Sequence, residues 1–200
     1  MKTPLSPLRV CSLVILTATV WFAANAAAMV VVERDFPDLV QRAEQIIAGT
    51  VTEIRRGVVG GAPITFVTVS GLTMMKGEAG DSITLELYGG GDDEYAVTVP
   101  HMPTFTPGEE VLLFVAGNGE NVSPIVGVWQ GSFRIRFDEA LGVRVVTANG
   151  GTPIAGIVDG KVELAAPGGD GGGAAASMTL DELRQEIADE LADPTGAETR

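Results

Sequence analysis

The chain has 200 residues, enough for one domain with a sizeable core plus tails, and its 26 acidic against 13 basic side chains give a formal charge of −13. That balance excludes a nucleic-acid surface as the main function, because such binding is driven by Lys and Arg neutralising phosphates. One cysteine, Cys11, and one histidine, His101, exclude a disulfide framework, a thiolate metal site and a histidine-rich catalytic zinc centre.

Lys2 and Arg9 precede an apolar run of 13 residues, Val10 to Phe22, and then Ala23-Ala24-Asn25-Ala26-Ala27-Ala28. A charged region, an apolar region and small residues in that order predict a cleavable signal peptide over 1–28, cut after Ala26 or Ala28. The run is shorter than the roughly 20 residues a membrane-spanning helix needs, so no stable membrane insertion is expected after cleavage. Loss of Lys2 and Arg9 takes the charge to −15 and leaves 172 residues without cysteine. The expected location is secreted or periplasmic.

Asp35-Phe36-Pro37-Asp38 reads as a helix start, with Asp35 or Phe36 at the cap and Pro37 in the first turn. Phe36, Leu39, Val40, Ala43, Ile46 and Ile47 recur at helical spacing, and the helix is expected to reach about Gln45. From Ile47 the pattern turns to strand. Up to about Thr147, short β-branched runs alternate with Gly and Pro clusters, predicting strands at 64–75, 82–88, 95–99, 110–115, 125–130, 132–137 and 143–146. The expected fold class is mainly β, an antiparallel barrel over 29–147 with a leading helix.

Residues 149 to 173 contain nine glycines and few large apolar side chains, which predicts a flexible Gly/Ala-rich linker over 148–176. Thr179-Leu180-Asp181-Glu182 has capping-box spacing, and Leu183, Ile187 and Leu191 form one stripe, so 177–200 reads as an acidic helix and tail. That helix docks either on the barrel or on a partner. If it serves as a docking element, deleting 150–200 should leave the barrel folded.

The order of helix, strand with Ala43-Glu44-Gln45-Ile46-Ile47-Ala48-Gly49-Thr50-Val51, barrel and terminal helix resembles netrin-like domains, a group that includes the tissue inhibitors of metalloproteinases. The resemblance implies an OB-like barrel. Those inhibitors chelate a protease zinc through an amino-terminal cysteine and are braced by disulfides, and this chain has neither after cleavage. The runs 99–115 and 127–133 also resemble a pattern in uncharacterised secreted bacterial proteins, which implies export and carries no known activity.

Few residues invite chemistry. His101 is the sole imidazole, and no Gly-x-Ser-x-Gly elbow supplies a nucleophile for it; the bland reading is a turn residue packed on Phe105. Asp92, Asp93 and Glu94 follow three glycines and read as a solvated hairpin loop, with calcium binding as the sharper alternative. Trp129 and Gln130, before Gly131, read either as an exposed recognition pair at a bulge or as a core tryptophan on a strand. Asn121-Val122-Ser123 fits a glycosylation sequon. No cofactor or metal is expected. The expected function is a non-catalytic extracytoplasmic module that binds a protein partner, with a protease among the candidates. A structural envelope or matrix component is the alternative, and a carboxylate-dependent hydrolase stands third.

Overall fold

The computed structural model describes residues 32–91, 96–165 and 177–192. The expected signal peptide, the acidic triplet 92–94 and the chain after 192 lie outside the described residues. Helix α1 spans Phe36–Arg42, with Asp35 in extended conformation at its cap and Pro37 in its first turn. It ends three residues before the expected Gln45 because Ala43 turns extended (φ −66°, ψ 128°). Lys76 Nζ donates to the Val40 and Gln41 carbonyls at 2.8 and 3.0 Å, placing a cation on the helix C-terminus. Ile46 and Ile47, which helical spacing put on one stripe, fall on opposite faces of a strand.

That strand, β1 (Gln45–Val59), pairs with β2 (Ala62–Lys76) through a turn at Gly60-Gly61, where both φ values are positive as a two-residue hairpin turn requires. Three register shifts bend the pair. With β3 (Ser82–Tyr88), β6 (Glu110–Val115), β7 (Ser132–Asp138) and β8 (Val143–Ala148) it forms a six-stranded antiparallel sheet in the order β3-β2-β1-β6-β7-β8. Between β3 and β6 lie the two-residue strands β4 (Gly90–Gly91) and β5 (Ala96–Val97), paired with each other. The protein is mainly β, as expected, but the sheet is not closed.

Both edges of the open sheet are nevertheless covered. On β3, Asn118 accepts from the Glu86 amide and donates to the Thr84 carbonyl, and the Tyr88 amide donates to the Val122 carbonyl. On β8, the Val146 amide donates to the Met178 carbonyl beside a Val145–Thr179 bridge. Unpaired strand edges template aggregation, and these contacts blunt them.

The sheet buries two faces. Ile46, Ala48, Leu112, Phe114, Ile135 and Val146 pack under α1 and the terminal helix, whereas Ile47, Val51, Val67, Leu85, Leu87 and Leu113 form the core of the other face. Residues 111–115 of β6 contribute to both, which explains why they read as a continuous apolar run.

Two segments depart from the sequence reading. Residues 125–130 form a series of turns rather than a strand: the Val128, Trp129 and Gly131 amides donate to the Ile125, Gly127 and Val126 carbonyls. A Cβ on Gly131 would sit 2.9 Å from Phe114 Cβ, so glycine is needed for this turn to close against the core. Within the expected linker, Ile154–Val158 (β9) and Lys161–Leu164 (β10) pair as a hairpin around Asp159-Gly160, both with positive φ. Ile154 is 1% exposed in the core, and the Gly160 carbonyl accepts from the Phe36 amide at 2.6 Å. The remainder of that expected linker, 166–176, lies outside the described residues.

Helix α2 spans Leu180–Ala192 and begins in the expected capping box: the Glu182 amide donates to Thr179 Oγ1 (3.2 Å), and the Thr179 amide donates to Glu182 Oε2 (2.8 Å). Leu180, Leu183 and Ile187 are buried in the first core cluster, so the helix docks on this domain. None of the helices among the described residues is long and apolar enough to cross a membrane.

Candidate functional site

Between β5 and β6 the loop 98–109 crosses the second face of the sheet like a strap. Its turn Val99-Pro100-His101-Met102 is closed by the Met102 amide donating to the Val99 carbonyl, with His101 at φ 64°. Proline followed by a left-handed residue is the pattern of a type II turn, which ordinarily puts glycine where His101 stands. Met102 and Phe105 then turn inward onto the second core cluster.

Arg134 pins the far end of the strap. Although it alternates with Phe133 and Ile135 as a solvent-facing residue would, it is 6% exposed, because the strap lies over it. Its Nε meets Glu109 Oε2 at 3.2 Å, Nη1 donates to Ser132 Oγ, Nη2 donates to the Thr104 carbonyl, and the guanidinium lies 4.8 Å from the Phe105 ring centre. Burial pushes its pKa down, the Glu109 carboxylate pushes it up, and Arg136 pushes it down again. Thr147, which pairs with Arg134 in register, and Asn149 each bury an oxygen without a partner on this side. Here a polar cavity of about 530 Å³ opens, lined by Glu109, Arg134, Arg136 and Asn149.

On the near side of the strap lies an apolar groove of about 340 Å³. The register shows why it forms. Arg56 pairs with Thr65 and Thr65 with Leu87, and Ile54 pairs with Val67, so these side chains share one face. The opposing wall is Val97, Val99, Met102 and Phe105. Gly90 lets the backbone close down at one end, since a Cβ there would lie 2.4 Å from Thr65 Oγ1.

The expected site residues separate. His101 is exposed and lies against half-buried Trp129, ring centres 5.2 Å apart and planes tilted by 38°, rather than on Phe105. Trp129 follows Gly127 and Val128, both at φ 67°, and a left-handed conformation is costly for a β-branched residue. Trp129 is therefore neither on a strand nor fully in the core. Gln130 points elsewhere: it accepts from the Arg34 amide (2.7 Å) and donates to the Val32 carbonyl (2.9 Å), tying down the chain entering α1. Asp92, Asp93 and Glu94 lie outside the described residues.

The sequon serine, Ser123, is engaged internally with the Ile125 amide and the Val128 carbonyl. Among the described residues no group of three or more His, Cys, Asp or Glu could hold a metal ion. Comparison with protein-family models, curated proteins and solved structures finds no match to this chain.

Proposed function

We propose that the chain is an exported, non-catalytic module that binds a protein partner through the surface centred on His101 and Trp129. The observation that carries the reading is the pairing itself. An exposed imidazole on a left-handed backbone lies in tilted ring contact with a tryptophan that is presented by a second left-handed segment. Residues in such conformations cost about 1–3 kcal/mol each and cluster where function needs a fixed geometry. Aromatic side chains held rigidly at a surface are the usual anchors of protein interfaces. The acidic balance favours a partner with a basic contact surface, a protease among the candidates.

The same proposal includes the OB-like, netrin-like kinship. Supporting it are the bent β1–β2 pair and the closure of the β3 edge by the 117–122 loop, where a barrel would have a further strand. As an envelope component, the alternative, the chain would use its terminal helix as an outward anchor. The apolar stripe of α2 is instead buried in this domain.

A photo-crosslinking residue at exposed position 100, beside His101 in the same turn, compared with one at exposed Glu120, tests the proposal in the exported fraction. One specific adduct from position 100, lost when either His101→Ala or Trp129→Ala is added while the fold is retained, is expected. Equal adducts from both positions, or an adduct indifferent to His101 and Trp129, refute the surface.

A further inference from the structure

The groove under the strap is separate from the His101–Trp129 surface. Neither His101 nor Trp129 lines it, so its role can be tested independently of the protein-binding surface. Its walls are apolar but incompletely satisfied. Val67 and Leu87 are almost fully buried at its floor, whereas Ile54, Met102 and Phe105 remain only partly buried beside them. An apolar concavity of this volume with one or two convergent polar groups is the usual form of a small-molecule site.

The charged group among the described lining residues is Arg56. It lines the groove and enters none of the ion pairs or ring contacts among the described residues. Its neighbour Arg55 behaves differently, with its guanidinium 4.3 Å from the Phe66 ring centre on the other face of the strand. Thr65 Oγ1 is already committed to the Gly89 carbonyl at 2.9 Å. A ligand side chain or head group entering the groove therefore meets one uncommitted guanidinium above an apolar slot.

We propose that this groove binds a small amphiphilic monoanion, an aliphatic carboxylate whose chain lies against Ile54, Val67, Leu87 and Phe105 and whose head group is held by Arg56. A planar guanidinium matches a carboxylate through two parallel hydrogen bonds. The surrounding charge selects a monoanion over a multiply charged head group. In a chain of formal charge −13 each additional negative charge on the ligand raises the repulsion, while among the described residues lining the groove Arg56 is the one cation that offsets it.

Decanoate, kept below its micelle-forming concentration, is the probe, with decanol as the uncharged control. Titration of the full chain, followed by calorimetry and amide chemical shifts, should show saturable single-site decanoate binding with shifts in β2, β3 and the strap. Arg56→Ala should weaken decanoate about tenfold and leave decanol unchanged, and Arg56→Lys should fall between. Val97→Trp, at a half-buried wall position, should fill the groove and abolish decanoate binding with the circular dichroism of the fold retained. Non-saturable uptake, decanoate affinity unchanged in Arg56→Ala, or binding that survives Val97→Trp would each overturn the assignment.

Discussion

Helix α2 should be indispensable to the domain. Leu183 and Ile187 are each 1% exposed, in a cluster that reaches α1, β1, β6, β7 and β8. Truncating a fully buried leucine or isoleucine to alanine costs about 2–5 kcal/mol, which in a domain of this size lowers Tm by about 4–20 °C. Ending the chain at Ala148 is harsher, because it also removes Ile154, Met178 and Leu180 from the core. At about 1.5–3 kcal/mol per buried large side chain, those five amount to about 8–15 kcal/mol, the scale of a domain's whole net stability. The truncated chain should therefore lack a cooperative transition, contrary to the expectation that the sheet domain folds without its tail. Thermal unfolding followed by near-ultraviolet circular dichroism is the assay for Leu183→Ala, Ile187→Ala and the truncation. A cooperative transition in the truncated chain, or a Tm for Leu183→Ala within about 2 °C of the parent, would refute the packing argument.

Three further outcomes can be checked. Arg134→Met removes the ion pair to the partly exposed Glu109 together with the hydrogen bonds to Ser132 and Thr104, and should destabilise by about 2–4 kcal/mol in urea titration, whereas Arg134→Met with Glu109→Gln should recover only the share owed to the unpaired carboxylate; a double variant no better than the single one would assign the whole loss to the Ser132 and Thr104 bonds. Gly49→Ala forces a Cβ to within 2.8 Å of the Ser70 carbonyl oxygen and 2.9 Å of Val69, so it should cost about 1–3 kcal/mol, read as a lower urea midpoint with an unchanged slope. Hydrogen bonds from the Thr179 amide and then its hydroxyl lower the Glu182 pKa below the ordinary 4.5. The stabilisation from this carboxylate is thus complete above that value and lost as pH falls through the lowered one, so the Tm gap between the parent and Glu182→Gln should close in acid and stay constant near neutrality.

What was legible depended on whether a local pattern and its tertiary use agreed. The capping box at Thr179 and Glu182 and the buried stripe at Leu183 and Ile187 were readable because helix start and amphipathic period are local properties. The hairpin at 154–164 runs against composition, because nine glycines in 149–173 predict a linker. Asp159-Gly160, between Ile157-Val158 and Lys161-Val162, is nonetheless a strong two-residue hairpin signal, and here turn chemistry outweighs composition. In 125–130 the β-branched residues suggested a strand, while Gly127 and Gly131 were the informative residues, one at positive φ and one against Phe114. Arg134 lies beyond any such correction. Its place in an alternating strand is that of a solvent-facing side chain, and it is buried only because a loop 25 to 36 positions earlier in the chain, residues 98–109, passes over it. The groove has the same origin, one wall from strand register and the other from the strap. Register is written in local alternation, but the strap's path is fixed by long-range contacts, Arg134 to Thr104 and Glu109 and Met102 and Phe105 to the core. If that is so, loosening the strap with Arg134→Lys, which keeps the charge but loses the planar fork, should increase amide exchange in 98–109 more than in β1–β3. Uniform exchange across both would place the groove's shape in the sheet alone.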